Sequence, residues 1–285
     1  MVLNFPNSTI HSRSGVTGYA TNRRRTQDVV VFETRNIGCC RCGRTCSYGH
    51  IGFAETKVGT TVESRVLLGF KVNDGAVGQM LPDGWVAVML PQGPVAGSNL
   101  ILALIDRHVI LNADGNLDNP TSGPTVAFLV YGRKEGVEGV RGFVTRVYEE
   151  VPVVDPYGNS VTADIDRISG YSDAGSGTRT QTEVWSILPE GGGELRLDLD
   201  YKVGGLMWST GGESRPFSSV NPDFFRIYRY DQLAGLAMNS ALGHAFDGTV
   251  SFSASDPDLG ELFDGSEALV SVVAIPTYIR EIWLP

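Results

Sequence analysis

Four lysines, Lys57, Lys71, Lys134 and Lys202, are the whole supply of primary amines on side chains in this sequence. A lysine attacks a carbonyl carbon to form a Schiff base only when an apolar pocket or a neighbouring cation keeps its amine neutral. Lys202 ends the alternating run Glu194-Leu195-Arg196-Leu197-Asp198-Leu199-Asp200-Tyr201-Lys202-Val203. Its phase relative to Leu197, Leu199 and Tyr201 places it on the wet face of a strand. Lys134 sits in the turn Gly132-Arg133-Lys134-Glu135-Gly136, where a solvated hairpin tip is the plainer reading. These two are the candidate catalytic lysines, each with that plainer alternative beside it.

Anion recognition has more candidates. Arg65 interrupts the apolar run Val62 to Val72, so it either points into a cavity and pairs with a carboxylate or points outward into water. Arg226, Tyr228 and Tyr230 share one face of a strand, and Phe225, Ile227 and Arg229 the other. Either set can line a cavity for an anionic, partly apolar ligand. Arg280 is a further polar interruption, between Ile279 and Glu281. Asp106, Arg107 and His108 break the run Asn99 to Leu111, and His108 is the best-placed histidine. Asp106 and His108 share a face there, so a polar edge or a hydrogen-bonded pair competes with acid–base chemistry. Glu149 and Glu150 close a strand; one of them could face inward, although adjacent carboxylates at a strand end are more often solvated.

The cysteines, Cys39, Cys40, Cys42 and Cys46, cluster near His50. Their spacing supplies one half of a zinc site, and a second ligand pair is missing, so no metal and no other cofactor is expected. There is no nucleophile elbow, P-loop or metalloprotease motif, and Gly175-Ser176-Gly177 is too short for a phosphate loop.

The elements that must position these residues are strands. Thirty-five glycines and fourteen prolines separate short apolar runs, a distribution that favours strands joined by tight turns. Runs at Val62–Val72, Asn99–Leu111, Thr125–Gly132, Gly142–Glu149, Thr180–Ile187 and Glu194–Val203, with those toward the end of the sequence, give about ten strands and only short helices. Strands so evenly spaced point to a barrel or a sandwich. A formal charge of -9 argues against a nucleic-acid partner. The absence of a long apolar run or signal-like start argues against a membrane and makes a cytoplasmic protein the expectation. Residues 1–54, rich in arginine and holding every cysteine, read as a disordered extension to a domain spanning 55–285.

From Val62 to Pro285 the order of motifs resembles the acetoacetate decarboxylase family. Arg65 opens a strand leading to Leu81-Pro82-Asp83-Gly84-Trp85, and Leu100–Leu111 and Glu194–Tyr201 follow as strands. Arg215-Pro216 precedes a strand of paired aromatics and basic residues, and Leu262-Phe263-Asp264 precedes the long closing strand. The resemblance implies a mainly β fold, a closed conical antiparallel β-barrel with a few short helices around a small-molecule cavity. It also implies a carbon–carbon lyase of the decarboxylase kind, a role for Arg65 in holding the substrate carboxylate, and, by analogy, a homo-oligomer. Two departures stand against the activity. The stretch Arg167–Gly177, comparable to the family's Schiff-base segment, contains no lysine, and the apolar Phe128-Leu129-Val130 replaces a carboxylate. The expectation is therefore a barrel that binds or acts on a small organic oxo acid without a Schiff-base lysine. A decarboxylase with its lysine relocated to Lys202 or Lys134 is the alternative, and a non-catalytic structural barrel is the third reading.

Overall fold

The computed structural model describes residues 54–173 and 179–285. The cysteine-bearing extension and the Gly175-Ser176-Gly177 stretch lie outside them.

In chain order the strands are β1 (Thr56–Lys71), β2 (Val86–Ala87), β3 (Leu100–Asn112), β4 (Gly123–Arg133), β5 (Arg141–Glu149), β6 (Ser160–Asp173) and β7 (Arg179–Pro189). They continue with β8 (Leu195–Val203), β9 (Met207–Ser214), β10 (Phe217–Ser218), β11 (Ile227–Asn239), β12 (Gly248–Ala254) and β13 (Ala268–Leu284). One short helix, α1 (Asp74–Met80), is started by Asn73, whose side chain accepts from the Gly75 and Ala76 backbone N–H groups. No described helix is long and apolar enough to cross a membrane.

The fold is mainly β, as the composition predicts, with all thirteen strands in one sheet. Its main path runs β12-β8-β7-β6-β5-β4-β3-β1-β13-β11-β9, with β2 and β10 branching from β4 and β5. Hydrogen bonds do not join β12 to β9, so the described ladder is open where a closed barrel was expected. Nor is it wholly antiparallel: β5 pairs in parallel with β6 and with β10. Both parallel contacts are short, three residue pairs with β6 and two with β10.

Burial follows the period of two. On β8, Leu195, Leu197, Leu199, Tyr201 and Val203 are buried and the residues between them exposed. These side chains join Val66, Leu68 and Phe70 of β1, Leu100, Leu102 and Leu104 of β3 and Phe128 of β4 in the main apolar core. The opposite face of β1, β3, β4 and β13 is also covered, because the sheet curls around a second interior. Smaller apolar clusters there include Val144, Val147 and Tyr157 on one side and Val273, Ile275 and Tyr278 on the other.

A bulge determines which side chains reach that second interior. Between β1 and β13 the register steps from Glu63↔Tyr278 to Arg65↔Ile275, two residues on one strand against three on the other. The same step appears from the far side, where β11 pairs Leu233 with Thr277 and Gly235 with Ala274. The extra residue lies around Pro276, which fits a proline's restriction to bulges and edges. It reverses the phase of β13, so Val273 and Ile275 before it and Tyr278, Arg280 and Ile282 after it all face the same cavity. A second bulge on β3, between Arg107 and Val109, sits against Glu63 and Val62.

Candidate functional site: a cationic cavity

The second interior holds a cavity of about 1080 Å³ lined from β1, β3, β4, β5, β11 and β13. Behind one wall, beneath the lining residues Thr61, Arg65 and Arg280, is a carboxylate. Glu63 is fully buried and accepts from three side chains: Thr61 Oγ1 at 2.6 Å, Arg65 Nε at 2.6 Å and Arg280 Nη2 at 2.7 Å. Arg280 Nε also donates to Thr61 Oγ1 at 3.2 Å. Burial by itself would raise the Glu63 pKa, but the Arg280 and Arg65 guanidiniums and the Thr61 hydroxyl hold it below the usual carboxylate range. Two guanidiniums share one carboxylate, which leaves one positive charge uncompensated within the cluster.

Tyrosines wall this cluster. The Arg65 guanidinium lies 3.7 Å from the Tyr278 ring centre and that of Arg280 4.3 Å from the Tyr228 ring. Tyr230 stacks on Tyr278 at 4.8 Å, and the Tyr157 and Tyr228 hydroxyls are 2.5 Å apart. Burial pushes the Tyr278 phenol up to about 12 despite the adjacent arginines. Tyr157 is raised well above its ordinary value by burial and by Tyr228. Both therefore stay neutral and can donate a hydrogen bond to a ligand near neutral pH.

A second charged group lies beyond the tyrosine pair. Arg107 donates to the Gly123 carbonyl at 3.1 Å and approaches Glu149 at 3.6 Å. Burial raises the Glu149 carboxyl, and Arg107 only partly offsets it. Arg226 Nε and Thr125 Oγ1 are buried there and have no hydrogen-bond partner among the described residues. Buried polar atoms are normally paired, and both residues line the cavity.

Five residues singled out in the sequence, Arg65, Arg226, Tyr228, Tyr230 and Arg280, thus meet around one space. The sixth candidate for substrate binding, His108, does not line it. It is exposed next to the β3 bulge, its Nδ1 3.5 Å from the Asp106 carboxylate. Its neighbour Arg107 points into the cavity instead. Neither candidate lysine lines the cavity. Lys202 Nζ pairs with Asp247 at 2.8 Å on the outer face of β8, and Lys134 donates to the Asp83 carbonyl at an exposed turn. No lysine, histidine or cysteine is among the described lining residues.

Glu63, Tyr157 and Tyr278 carry no candidate role in the sequence analysis, and of the pair Glu149 and Glu150 it is Glu149 that is largely buried. The signal for Glu63 was present in Thr61-x-Glu63-x-Arg65, three polar residues on one face of an otherwise apolar strand. Tyr157 lies in a turn and carries no periodic signal.

A second buried carboxylate belongs to the scaffold. Glu183 accepts five hydrogen bonds, two from Arg167 and one each from Ser169, Gln181 and Trp185. Arg167 in turn pairs with Asp106, tying β6 and β7 to β3. With its acceptor capacity filled, Glu183 has nothing left for a ligand. Among the described residues, no three His, Cys, Asp or Glu side chains are grouped to hold a metal ion.

No protein-family model and no curated protein matches the sequence. Solved structures do. The enduracididine biosynthesis enzyme MppR with HEPES buffer bound superposes with a TM-score of 0.51 at 12% identity, covering 81% of this chain and 86% of that one. MppR complexed with pyruvate gives 0.48 at 12% identity, over 80% of this chain and 88% of that one. Acetoacetate decarboxylase from Legionella pneumophila gives 0.46 at 10% identity, over 81% and 86%. At such identities the likeness is one of fold. The chain has the acetoacetate decarboxylase-like fold.

Proposed function

We propose that this acetoacetate decarboxylase-like chain binds a small organic acid, of the oxo-acid class, in the Arg65–Arg280 cavity, and that any reaction there proceeds without a lysine Schiff base. The observation that carries this reading is the sharing of Glu63 by two guanidiniums in a largely buried site, Arg65 and Arg280 each being 11% exposed. An excess positive charge at low dielectric is costly in the empty protein and is relieved by a carboxylate. Neutral tyrosines beside it can donate to the acid's keto oxygen, while Leu67, Leu129, Val144 and Ile275 suit its apolar part. The curled sheet would serve as a conical barrel closed around that ligand by side-chain packing.

The cavity also weighs against the purely structural reading, in which side chains would fill the interior. The exposed settings of Lys202 and Lys134, outside the cavity and each bonded to a surface oxygen, weigh against relocation of the family's lysine.

Binding of butyrate, 2-oxobutyrate and 3-oxobutyrate, followed by calorimetry, tests the reading. Acid binding is expected in the wild type and a loss of roughly 10- to 100-fold in Arg65→Met, the range for a hydrogen bond to a charged group. Borohydride added with either oxo acid should leave the intact mass unchanged. A trapped adduct on Lys134 or Lys202 would overturn it, as would failure of all three acids to bind.

A further inference from the structure

The cavity carries more positive charge than one carboxylate can use. Arg215, Asp118 and Glu138 are exposed at its rim, as is Asp155 beside Glu149, and these four are screened by solvent. The charges that remain are Arg65, Arg107, Arg141, Arg226 and Arg280 against Glu63 and Glu149. Among the described residues, five cations facing two anions leave three positive charges around the cavity, in a chain whose formal charge is -9.

These charges fall in two groups. Arg65 and Arg280 flank Glu63 at one end. Arg226 belongs to the other end, where it acts on the Glu149 carboxyl together with Arg107. Between them stands the Tyr157–Tyr228 hydroxyl pair, close enough to Arg226 and Arg280 to feel both. Two unpartnered buried atoms there, Arg226 Nε and Thr125 Oγ1, are donors without an acceptor among the described residues. A buried guanidinium N–H without an acceptor is costly, and an anion placed against it relieves that cost.

We propose that the ligand is a dicarboxylic acid, with one carboxylate at Arg65 and Arg280, the other at Arg226 and Thr125, and the Tyr157–Tyr228 hydroxyls facing its middle. This rests on the reading above, since a cavity that binds no acid binds no diacid. It goes further in setting the charge of the ligand: a dianion leaves one excess positive charge of the three, whereas a monoanion leaves two.

Matched acids of equal chain length separate the two claims. Calorimetric titration would use succinate, glutarate and adipate against butyrate, valerate and hexanoate. At one chain length the diacid should bind on the order of 10- to 100-fold more tightly than its monoacid partner, as for an added charge-assisted hydrogen bond. That ratio should fall toward one in Arg226→Gln. Equal binding of mono- and diacids at every length in the wild type would overturn the dicarboxylate inference and leave the acid-binding cavity standing. Absence of binding by either series would sink both. The wild-type ratio needs no variant, so an Arg226→Gln protein that fails to fold would not shield the inference.

Discussion

Glu63 is fully buried and bonded to both guanidiniums, so its side chain and its two arginines stand or fall together. Removing one member of a buried ion cluster leaves the others charged and unpaired. Glu63→Ala is expected to lower the unfolding free energy by about 3–5 kcal/mol, measured by urea denaturation. The pH dependence has a definite sign. The folded pKa of Glu63 lies below its ordinary value of 4.5, so its contribution is complete above that value and is lost as pH falls through the lower, folded one. The stability gap between wild type and Glu63→Gln should therefore be constant from neutral pH to about 5 and shrink in stronger acid; a gap that widened there would contradict the assigned cause. The sequence supplied much at this scale. Arg65, Arg226, Tyr228, Tyr230 and Arg280 are legible because each breaks or shares the phase of an apolar strand. Glu149 is not, since a carboxylate at a strand end looks the same whether a distant arginine covers it or water does.

At the scale of elements, the bulge around Pro276 is what brings Tyr278 and Arg280 to the cavity. Deletion of Pro276 would restore simple alternation and turn either these two side chains or Val273 and Ile275 away from it. The deletion variant is expected to lose measurable acid binding in calorimetry and to unfold at lower temperature than the wild type; unchanged binding would show that the bulge does not set the site. No such bulge was readable beforehand, because the insertion is defined only against β1 and β11. Strands with clean alternation, such as β8, were legible. Two others were not. The distal half of β6 is exposed and polar, and β9 is an exposed edge, MWSTGGES, with no apolar stripe to announce it. Its Gly212 has a packing reason that only the fold discloses: a Cβ there would collide with the Tyr230 ring.

For the whole molecule, the mainly β class and the acetoacetate decarboxylase-like fold were readable from turn spacing and motif order. Closure of the ring was not, since a list of strands does not say whether the first and last in space are bonded. The ladder also has a consequence for how the chain is made. β1, with its apolar centre Val66-Leu67-Leu68, lies between β3 and β13, and its Lys57 pairs with Glu281 across 224 residues. During synthesis β3 emerges soon after β1, but the other side of β1 must wait for β13. At ~5–20 residues per second that wait is roughly 10–40 s. Through it the ribosome carries an apolar strand with one unpaired edge, the kind of surface that neighbouring nascent chains can pair with. The same late strand completes both the shield over that edge and the Arg280 half of the cavity, so the chain gains its protection from aggregation and its candidate site in a single step.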